Sequence, residues 1–195
     1  MRAIHTVAPF GPLGRILEIG GGQSGLTGLL YPQSEVVNVD IEPAYARSSL
    51  NQLTGTRFVC ADATSLPFPD ASFDAVTMFD VLEHIPRDDE AALEALRVLR
   101  PGGSIVVSSP NEHWRFPYYG VMRPVCPTDQ QVMDEWGHVR RGYSIDQLRH
   151  LLGATLVATA NYITPITAIG HDIAFSKLVG KQLFLACVLV SPLTW

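Results

Sequence analysis

Short apolar runs alternate with helical patterns through the first half of the chain. Runs rich in apolar and β-branched residues predict five strands, at 15–20, 35–40, 57–60, 73–79 and 104–109. The spacing of apolar positions between them predicts helices that begin at residue 26 and that cover 45–53 and 88–99. Strands that alternate with helices indicate an α/β fold, in which helices cover both faces of a parallel sheet.

The segment 88–99 carries the clearest helical pattern. Asp88 or Asp89 is expected to cap its N-terminus, and the glycines after Pro101 are expected to end it. The predicted buried stripe consists of Ala92, Leu93, Leu96 and Leu99.

The alternation breaks after residue 109. The aromatic and proline-rich segment 110–143 is interpreted as an inserted lid, because long loops in compact domains are usually functional or disordered. Its aromatic residues form either a small separate core or the wall of an acceptor pocket. A helix over 144–152, ending at Gly153, and a sixth strand over 154–160 are predicted next.

The length predicts one domain, with a core at 1–109, the lid segment at 110–143 and a C-terminal part at 144–195. The apolar run 183–190 favours a helix over a seventh strand, so the final strand of the sheet is expected to be missing. An unfinished sheet with an apolar tail favours a homodimer or a contact with a membrane surface.

Charge and cysteine content narrow the class of protein. The chain has 14 Lys and Arg against 19 Asp and Glu, a formal net charge of −5, which argues against nucleic acid as a partner. Its 3 cysteines lie far apart, so we expect a reducing compartment and no metal site. Neither a secretory signal nor a transmembrane span is apparent, and the expected location is the cytoplasm.

The main chemical motif is a glycine turn after the first predicted strand. Gly20-x-Gly22-x-x-Gly25 and an acid at Asp40 fit a nicotinamide dinucleotide or another adenosyl cofactor. Glu18 separates the two, since a carboxylate there repels a diphosphate and attracts an ammonium group. S-adenosylmethionine has the ammonium and the ribose but no phosphate. A helix-capping acid without a ligand is the alternative for Glu18.

Ordered motifs across about residues 15–109 resemble the class I S-adenosylmethionine-dependent methyltransferases, in particular the type 11 group. They are Ile16–Gly22, Val39–Ile41, Cys60–Ala63, Leu66–Asp74, Val81–Ile85 and Glu94–Gly103. The resemblance implies a doubly wound, mostly parallel, Rossmann-like sheet, S-adenosylmethionine as cofactor and S-adenosylhomocysteine as product. One departure concerns the loop contacts, since the family's glycine would fall at Ser24 whereas the third glycine here is Gly25.

The resemblance also suggests which residues bind the cofactor. Asp40 would hold the ribose and Asp62 would face the adenine amino group. The full predicted set is Glu18, Gly20, Gly22, Asp40, Ile41, Asp62, Ala63 and Phe79.

The expected function is methyl transfer to an oxygen or nitrogen of a small molecule or of a lipid- or sugar-linked intermediate. Alternatives are an NAD-dependent oxidoreductase and a non-catalytic protein that binds S-adenosylmethionine. Methyl transfer needs mainly alignment, and a general base helps only where the acceptor carries a proton. His84, His113 and His138 are candidate bases, although a packing or solvated histidine is the favoured interpretation of each.

Overall fold

A parallel five-stranded sheet forms the centre of the protein. The computed structural model describes residues 2–161 and 163–176. The strands are β1 (Arg15–Ile19), β2 (Glu35–Asp40), β3 (Arg57–Cys60), β4 (Phe73–Phe79) and β5 (Leu99–Ser108). They lie in the order β3-β2-β1-β4-β5, and every neighbouring pair is parallel. This confirms the predicted doubly wound, mostly parallel α/β fold.

Helices and short turns connect these strands. The α-helices are α1 (Arg2–Val7), α2 (Leu26–Leu30), α3 (Ser49–Thr54), α4 (Asp88–Val98), α5 (Asp129–Trp136), α6 (Ile145–Leu152) and α7 (Pro165–Ala174). Short 3-10 helices cover Pro43–Arg47, Leu82–His84 and Gly120–Met122. No helix in the described part of the chain is long and apolar enough to cross a membrane.

Two apolar clusters lie on opposite faces of the sheet, because successive side chains of a strand point to opposite faces. Leu17 and Ile19 of β1 belong to one cluster, with Met78 of β4. Ile16 of β1 belongs to the other, with Ala75 of β4. Burial on both faces explains why most residues of β1 and β4 are apolar.

The strand order reverses between β1 and β4. β1 leads through α2 to β2 on one side, whereas β4 and β5 lie on the other side. Ligands of open α/β sheets bind beyond the carboxyl ends of the strands at such a point. The chain after β1, β2 and β4 is therefore where a site is expected.

Two of the predicted helices differ in detail from those in the structure. The helix predicted over 45–53 is divided into a 3-10 helix and α3 at Ser48, whose hydroxyl accepts a hydrogen bond from Asn51 N at 3.3 Å. At α4 the N-cap is Arg87, with no side-chain cap, so the cap predicted at Asp88 or Asp89 is wrong. The Asp88 carboxylate instead accepts a hydrogen bond from the Tyr143 hydroxyl at 2.6 Å.

The predicted stripe of α4 lies partly on the wrong face. Leu93 is 64% exposed, and the buried residues are Ala91, Ala92, Ala95 and Val98. Three small alanines allow the helix to lie close to its neighbours, so the larger leucine side chains are not what determines its orientation.

The strand predicted over 154–160 is wrong, since these residues form no strand and are exposed. β5 begins earlier than predicted, at Leu99, and a register irregularity absorbs the Pro-Gly-Gly sequence, because Phe73 pairs with Leu99 but Ala75 pairs with Ser104. The run 183–190, with the predicted missing final strand, lies outside the described residues.

The lid segment returns to the point from which it leaves the sheet. Tyr143 N donates a hydrogen bond to Pro110 O at 2.9 Å, which joins the two ends of the segment. Gly142 lies directly against Pro110, where an added Cβ would overlap the Pro110 carbonyl group. The backbone of Gly142 also has φ +140°, in the region that side chains disfavour.

We expect Gly142→Ala to destabilise the protein by about 2 kcal/mol or more, since it combines backbone strain with a steric overlap. Urea unfolding followed by circular dichroism measures the change. Gly120→Ala is the matched control, because no atom lies within 4 Å of a Cβ built there. Equal stability of the two variants would contradict the closure at Pro110.

Candidate functional site

The turn after β1 requires glycine for two different reasons. Gly20 and Gly22 have φ of 69° and 53°, which side chains rarely adopt, and a Cβ on Gly20 would overlap Val81. A Cβ on Gly21 would lie 2.6 Å from both Glu18 Cδ and Asn38 Oδ1. Backbone in this turn therefore lies close to two polar side chains.

Glu18 is buried at the end of β1, with 1% of its surface exposed. Its Oε1 accepts a hydrogen bond from Thr27 N at 3.3 Å, whereas its Oε2 has no partner among the described residues. Burial raises the pKa of this carboxyl group, and the contacts with Thr27 lower it by a smaller amount.

Asn38 stands opposite Glu18 in the register of β1 and β2. Its amide nitrogen donates to Gly22 O at 3.0 Å, but its Oδ1 is buried and finds no donor in the described part of the chain. Two acceptors without donors thus flank Gly21. A buried acceptor without a partner is costly, so this pair is suited to a ligand that brings hydrogen-bond donors.

Asp40 holds the turn from the neighbouring strand. Its Oδ2 accepts a hydrogen bond from Gly22 N and its Oδ1 accepts one from Glu42 N, both at 3.0 Å. The carboxylate is thereby fixed at the end of β2, beside the glycine turn. The next residue, Ile41, is 71% exposed and offers an apolar surface at the same edge.

The remaining predicted cofactor residues follow or end the strands β3 and β4. Asp62 follows β3, and its Oδ1 accepts hydrogen bonds from the backbone and the hydroxyl of Thr64, both at 2.8 Å, which lower its pKa. Ala63 is partly buried against the larger apolar cluster. Phe79 is partly buried and packs against the smaller one, and its contact with the cofactor stays a prediction.

Of the three candidate bases, the structure brings two together. The rings of His84 and His138 meet edge to face, with centroids 4.7 Å apart. Burial, and to a lesser degree the neighbouring His84, lowers the pKa of His138. His113 lies apart from them, with 80% of its side chain exposed and its Nε2 3.5 Å from Glu112.

Glu83 is a residue that the sequence analysis missed. It is fully buried, its Oε2 accepts a hydrogen bond from Ser109 Oγ at 3.3 Å, and its Oε1 has no partner in the described ranges. Burial, with a further contribution from the Asp80 carboxylate, raises the pKa of Glu83 to about 7. An acid beside a histidine, in an otherwise apolar stretch after β4, was the signal that could have identified it.

The end of the lid segment holds this region in place. Arg140 donates to the carbonyl oxygens of Leu82 and Ile85, both at 2.7 Å, and lies 3.4 Å from the Asp88 carboxylate. Val139 N donates to Glu83 O at 3.0 Å. These contacts explain how residues more than 50 positions apart, such as His84 and His138, come to share one site.

The lid aromatics pack partly on one another, as Trp114 does on Trp136, and partly on His171 and Phe175 at the end of α7. Phe116, Cys126 and Val132 form a small buried cluster with Trp114 and Trp136 at its edge. This arrangement corresponds to the separate-core alternative of the sequence analysis.

Comparison with known proteins gives a consistent result. Residues 17–107 match the family model of the methyltransferase domain. The chain is 40% identical over 103 residues to the ubiquinone/menaquinone biosynthesis C-methyltransferase UbiE of Pseudomonas aeruginosa, an alignment that covers 48% of this chain and 40% of that protein. The chain thus spans less than half the length of the curated relatives it matches.

Solved structures share the fold. The YcgJ protein of Bacillus subtilis is 25% identical, with a TM-score of 0.58 and coverage of 87% of this chain and 74% of that one. A Haemonchus contortus phosphoethanolamine N-methyltransferase in complex with S-adenosyl-L-methionine is 18% identical, with a TM-score of 0.59 and coverage of 78% and 35%.

The raised pKa of Glu18 has a consequence for stability. The folded protein binds the proton of the Glu18 carboxyl group more tightly than the unfolded chain does. The stability that this difference contributes is therefore fully present below the pKa of the unfolded chain. That contribution is lost as the pH rises through the folded value. We expect Glu18→Gln to remove this loss, so that its free energy of unfolding at about pH 8 equals or exceeds that of the parent protein.

Urea unfolding of the ligand-free protein at about pH 5 and about pH 8 measures the effect. Glu135→Gln, at an exposed position of α5, is the control and should follow the parent at both pH values. A Glu18→Gln variant that is less stable than the parent at the higher pH would show that the charged carboxylate stabilises the fold.

Proposed function

We propose that this chain is a class I S-adenosylmethionine-dependent methyltransferase that transfers a methyl group from S-adenosylmethionine to a small-molecule acceptor. The match of residues 17–107 to the methyltransferase domain model supports this proposal. The observation that carries the proposal is the pair of acceptors without donors, Glu18 Oε2 and Asn38 Oδ1, beside the glycine turn. The α-amino group of the cofactor carries the donors and the positive charge that this pair lacks.

The other residues of the edge fit the rest of the cofactor. Each oxygen of Asp40 accepts one backbone hydrogen bond and keeps a lone pair for a ribose hydroxyl. Ile41 offers an apolar surface for the adenine, and Asp62 is exposed at the end of the next strand for its amino group. A diphosphate would have to lie near the Glu18 carboxylate, which argues against the dinucleotide alternative.

The bound cofactor supplies a methyl group on a positively charged sulfur. The protein then has to align the acceptor atom, exclude water and receive a proton where the acceptor has one. His138 suits the last task, since its lowered pKa keeps the imidazole neutral near pH 7 and able to accept a proton. Its Nδ1 has no partner in the part of the chain that is described. The ring of His84 packs edge to face against the His138 ring.

The acceptor belongs to a small molecule or to a lipid- or sugar-linked intermediate in this proposal. The name of UbiE specifies a carbon acceptor, so the expectation of an oxygen or nitrogen acceptor gains no support from that relative. A base near the methyl group serves both chemistries, because a hydroxyl and an activated ring carbon each lose a proton on methylation. The acceptor set for a screen therefore contains phenols, quinols, amines and lipid-linked sugars.

The proposal also includes a cytoplasmic location and no nucleic-acid partner. It further includes either a homodimer or contact with a membrane surface. The net charge of −5 supports the exclusion of nucleic acid. Gel filtration and sedimentation with lipid vesicles distinguish the dimer from the membrane contact.

Calorimetry tests the cofactor first. We expect S-adenosylmethionine and S-adenosylhomocysteine to bind and NAD to give no heat. Transfer of a labelled methyl group to any member of the acceptor set then establishes catalysis. Binding of NAD without a response to S-adenosylhomocysteine would overturn the proposal in favour of the oxidoreductase alternative. Cofactor binding with no transfer across the set would favour the non-catalytic one.

Asp40→Ala should weaken S-adenosylhomocysteine binding by about 10-fold or more, because charge-assisted hydrogen bonds to the ribose are lost and the glycine turn loses its support. Asp40→Asn keeps one acceptor and should fall between this variant and the parent. Asp146→Ala, on the far helix α6, is the control. Unchanged affinity in the alanine variant, measured by calorimetry, would refute the role of Asp40.

A further inference from the structure

Three side chains of the kinds that bind transition metals meet beyond the end of β4. Glu83 and His84 belong to the 3-10 helix that follows this strand, and His138 comes from the end of the lid segment. One ligand atom from each of the three residues lies within 4.8 Å of the others. The lid segment therefore completes the cluster that the sheet edge begins.

Two members of the cluster have buried polar atoms that nothing satisfies. Glu83 Oε1 and His138 Nδ1 are both without a hydrogen-bond partner among the residues described. Glu83 is fully buried, so bulk solvent does not reach this oxygen. A buried carboxylate oxygen and a buried imidazole nitrogen that lack donors are what a cation site provides.

The outer contacts orient the same groups. His84 Nδ1 lies 3.2 Å from Gly137 O, so the neutral ring donates there and leaves Nε2 free. Ser109 Oγ donates to Glu83 Oε2 at 3.3 Å, which leaves Oε1 free. Hydrogen bonds from a ligating histidine to a backbone carbonyl, and to a ligating carboxylate from a hydroxyl, are the usual outer shell of protein metal sites.

The nearby charges are arranged in favour of a cation. Asp80, at an exposed position, adds a second carboxylate whose charge acts on Glu83. The guanidinium of Arg140 is engaged by the carbonyls of Leu82 and Ile85 and by Asp88, and it makes no hydrogen bond to Glu83 among the described contacts. The carboxylate of Glu83 thus has no counter-ion in direct contact within the described ranges.

We propose that Glu83, His84 and His138 bind a divalent transition metal ion, for which Zn²⁺ fits the ligand set best. Two imidazoles and one carboxylate are a known zinc set, and three protein ligands leave a position open, as in catalytic rather than structural sites. This departs from the expectation of no metal that the cysteine pattern produced. The proposal does not rest on the methyltransferase activity.

The distances require only a small adjustment. Bonds of about 2.0–2.2 Å in tetrahedral geometry place ligand atoms about 3.3 Å apart. The ligand atoms now lie within 4.8 Å of one another, and we expect side-chain rotation to bring them to that value on metal binding, since two of the three residues share one turn and Val139 N on Glu83 O anchors the third.

Direct titration tests the site. The full chain, without a histidine tag and stripped with a chelator, is titrated with Co²⁺ and followed by its visible absorption, and Zn²⁺ is then added in competition. We expect one equivalent of Co²⁺ to bind with the intense bands of a low-symmetry site, and Zn²⁺ to displace it. Thermal melts should show that Zn²⁺ raises the Tm of the parent.

Variants assign the ligands. His84→Ala, His138→Ala and Glu83→Gln should each weaken Co²⁺ binding by about 10-fold or more, whereas His113→Ala, an exposed histidine outside the cluster, should bind like the parent. Circular dichroism of the metal-free variants verifies that they fold. If His138→Ala does not fold, His138→Gln replaces it, since glutamine is polar and similar in size to histidine but has no imidazole.

Two results would overturn the proposal. One is binding of well below one equivalent by the parent, with no rise in Tm on addition of Zn²⁺, which would make the cluster a packing arrangement of histidines. The other is an equal loss of binding in His113→Ala. Calorimetry with S-adenosylhomocysteine on the metal-free protein is independent of both results, so failure of the metal site and failure of the proposed function are distinguishable.

Discussion

The buried carboxylate of Glu18 is the constraint on which the cofactor edge depends. β1 is the central strand of the sheet, and a carboxylate buried at its end costs free energy for each oxygen that finds no partner. Thr27 N at the start of α2 satisfies one oxygen, which ties the acid to the helix that the glycine turn introduces. The glycine sequence follows from the same requirement, because a side chain on Gly21 would occupy the space beside Glu18 and Asn38. The buried Glu18 carboxylate thus determines both the preference for a ligand with an ammonium group and the need for glycine in the turn.

The second half of the site depends on the closure of the lid segment. Pro110 and Tyr143 meet by a backbone hydrogen bond, and Gly142 allows the close approach that this contact needs. Arg140 then joins the returning chain to the carbonyls after β4. Without this closure, His138 would not reach His84. The metal role proposed for this cluster therefore depends on how the lid segment packs, and His138 Nδ1 is available as a proton acceptor only when no metal is bound to it.

The sheet and the glycine turn could be predicted from the sequence because both are local. The β-branched runs and the Gly20–Gly25 spacing lie in consecutive residues, and five of the six predicted strands are present, the exception being 154–160. The face of α4 was partly wrong, since hydrophobic spacing ranks Leu93 above the alanines whereas close packing selects the alanines. The only sequence signal for Glu83 was its position beside a histidine, because its importance comes from burial and from His138, which is remote in sequence.

Two buried carboxylates with an unsatisfied oxygen lie at the ends of adjacent central strands. Glu18 ends β1, Glu83 follows β4, and these strands pair at the point where the strand order reverses. Their surroundings differ in a way that assigns different partners. Glu18 faces an amide oxygen across a glycine turn and suits a donor with several hydrogens, such as an ammonium group, whereas Glu83 faces two imidazoles and suits an ion that accepts electron pairs. Folding leaves one oxygen of each carboxylate without a hydrogen-bond partner. A ligand that bonds to that oxygen therefore recovers the free energy that its burial costs the ligand-free protein.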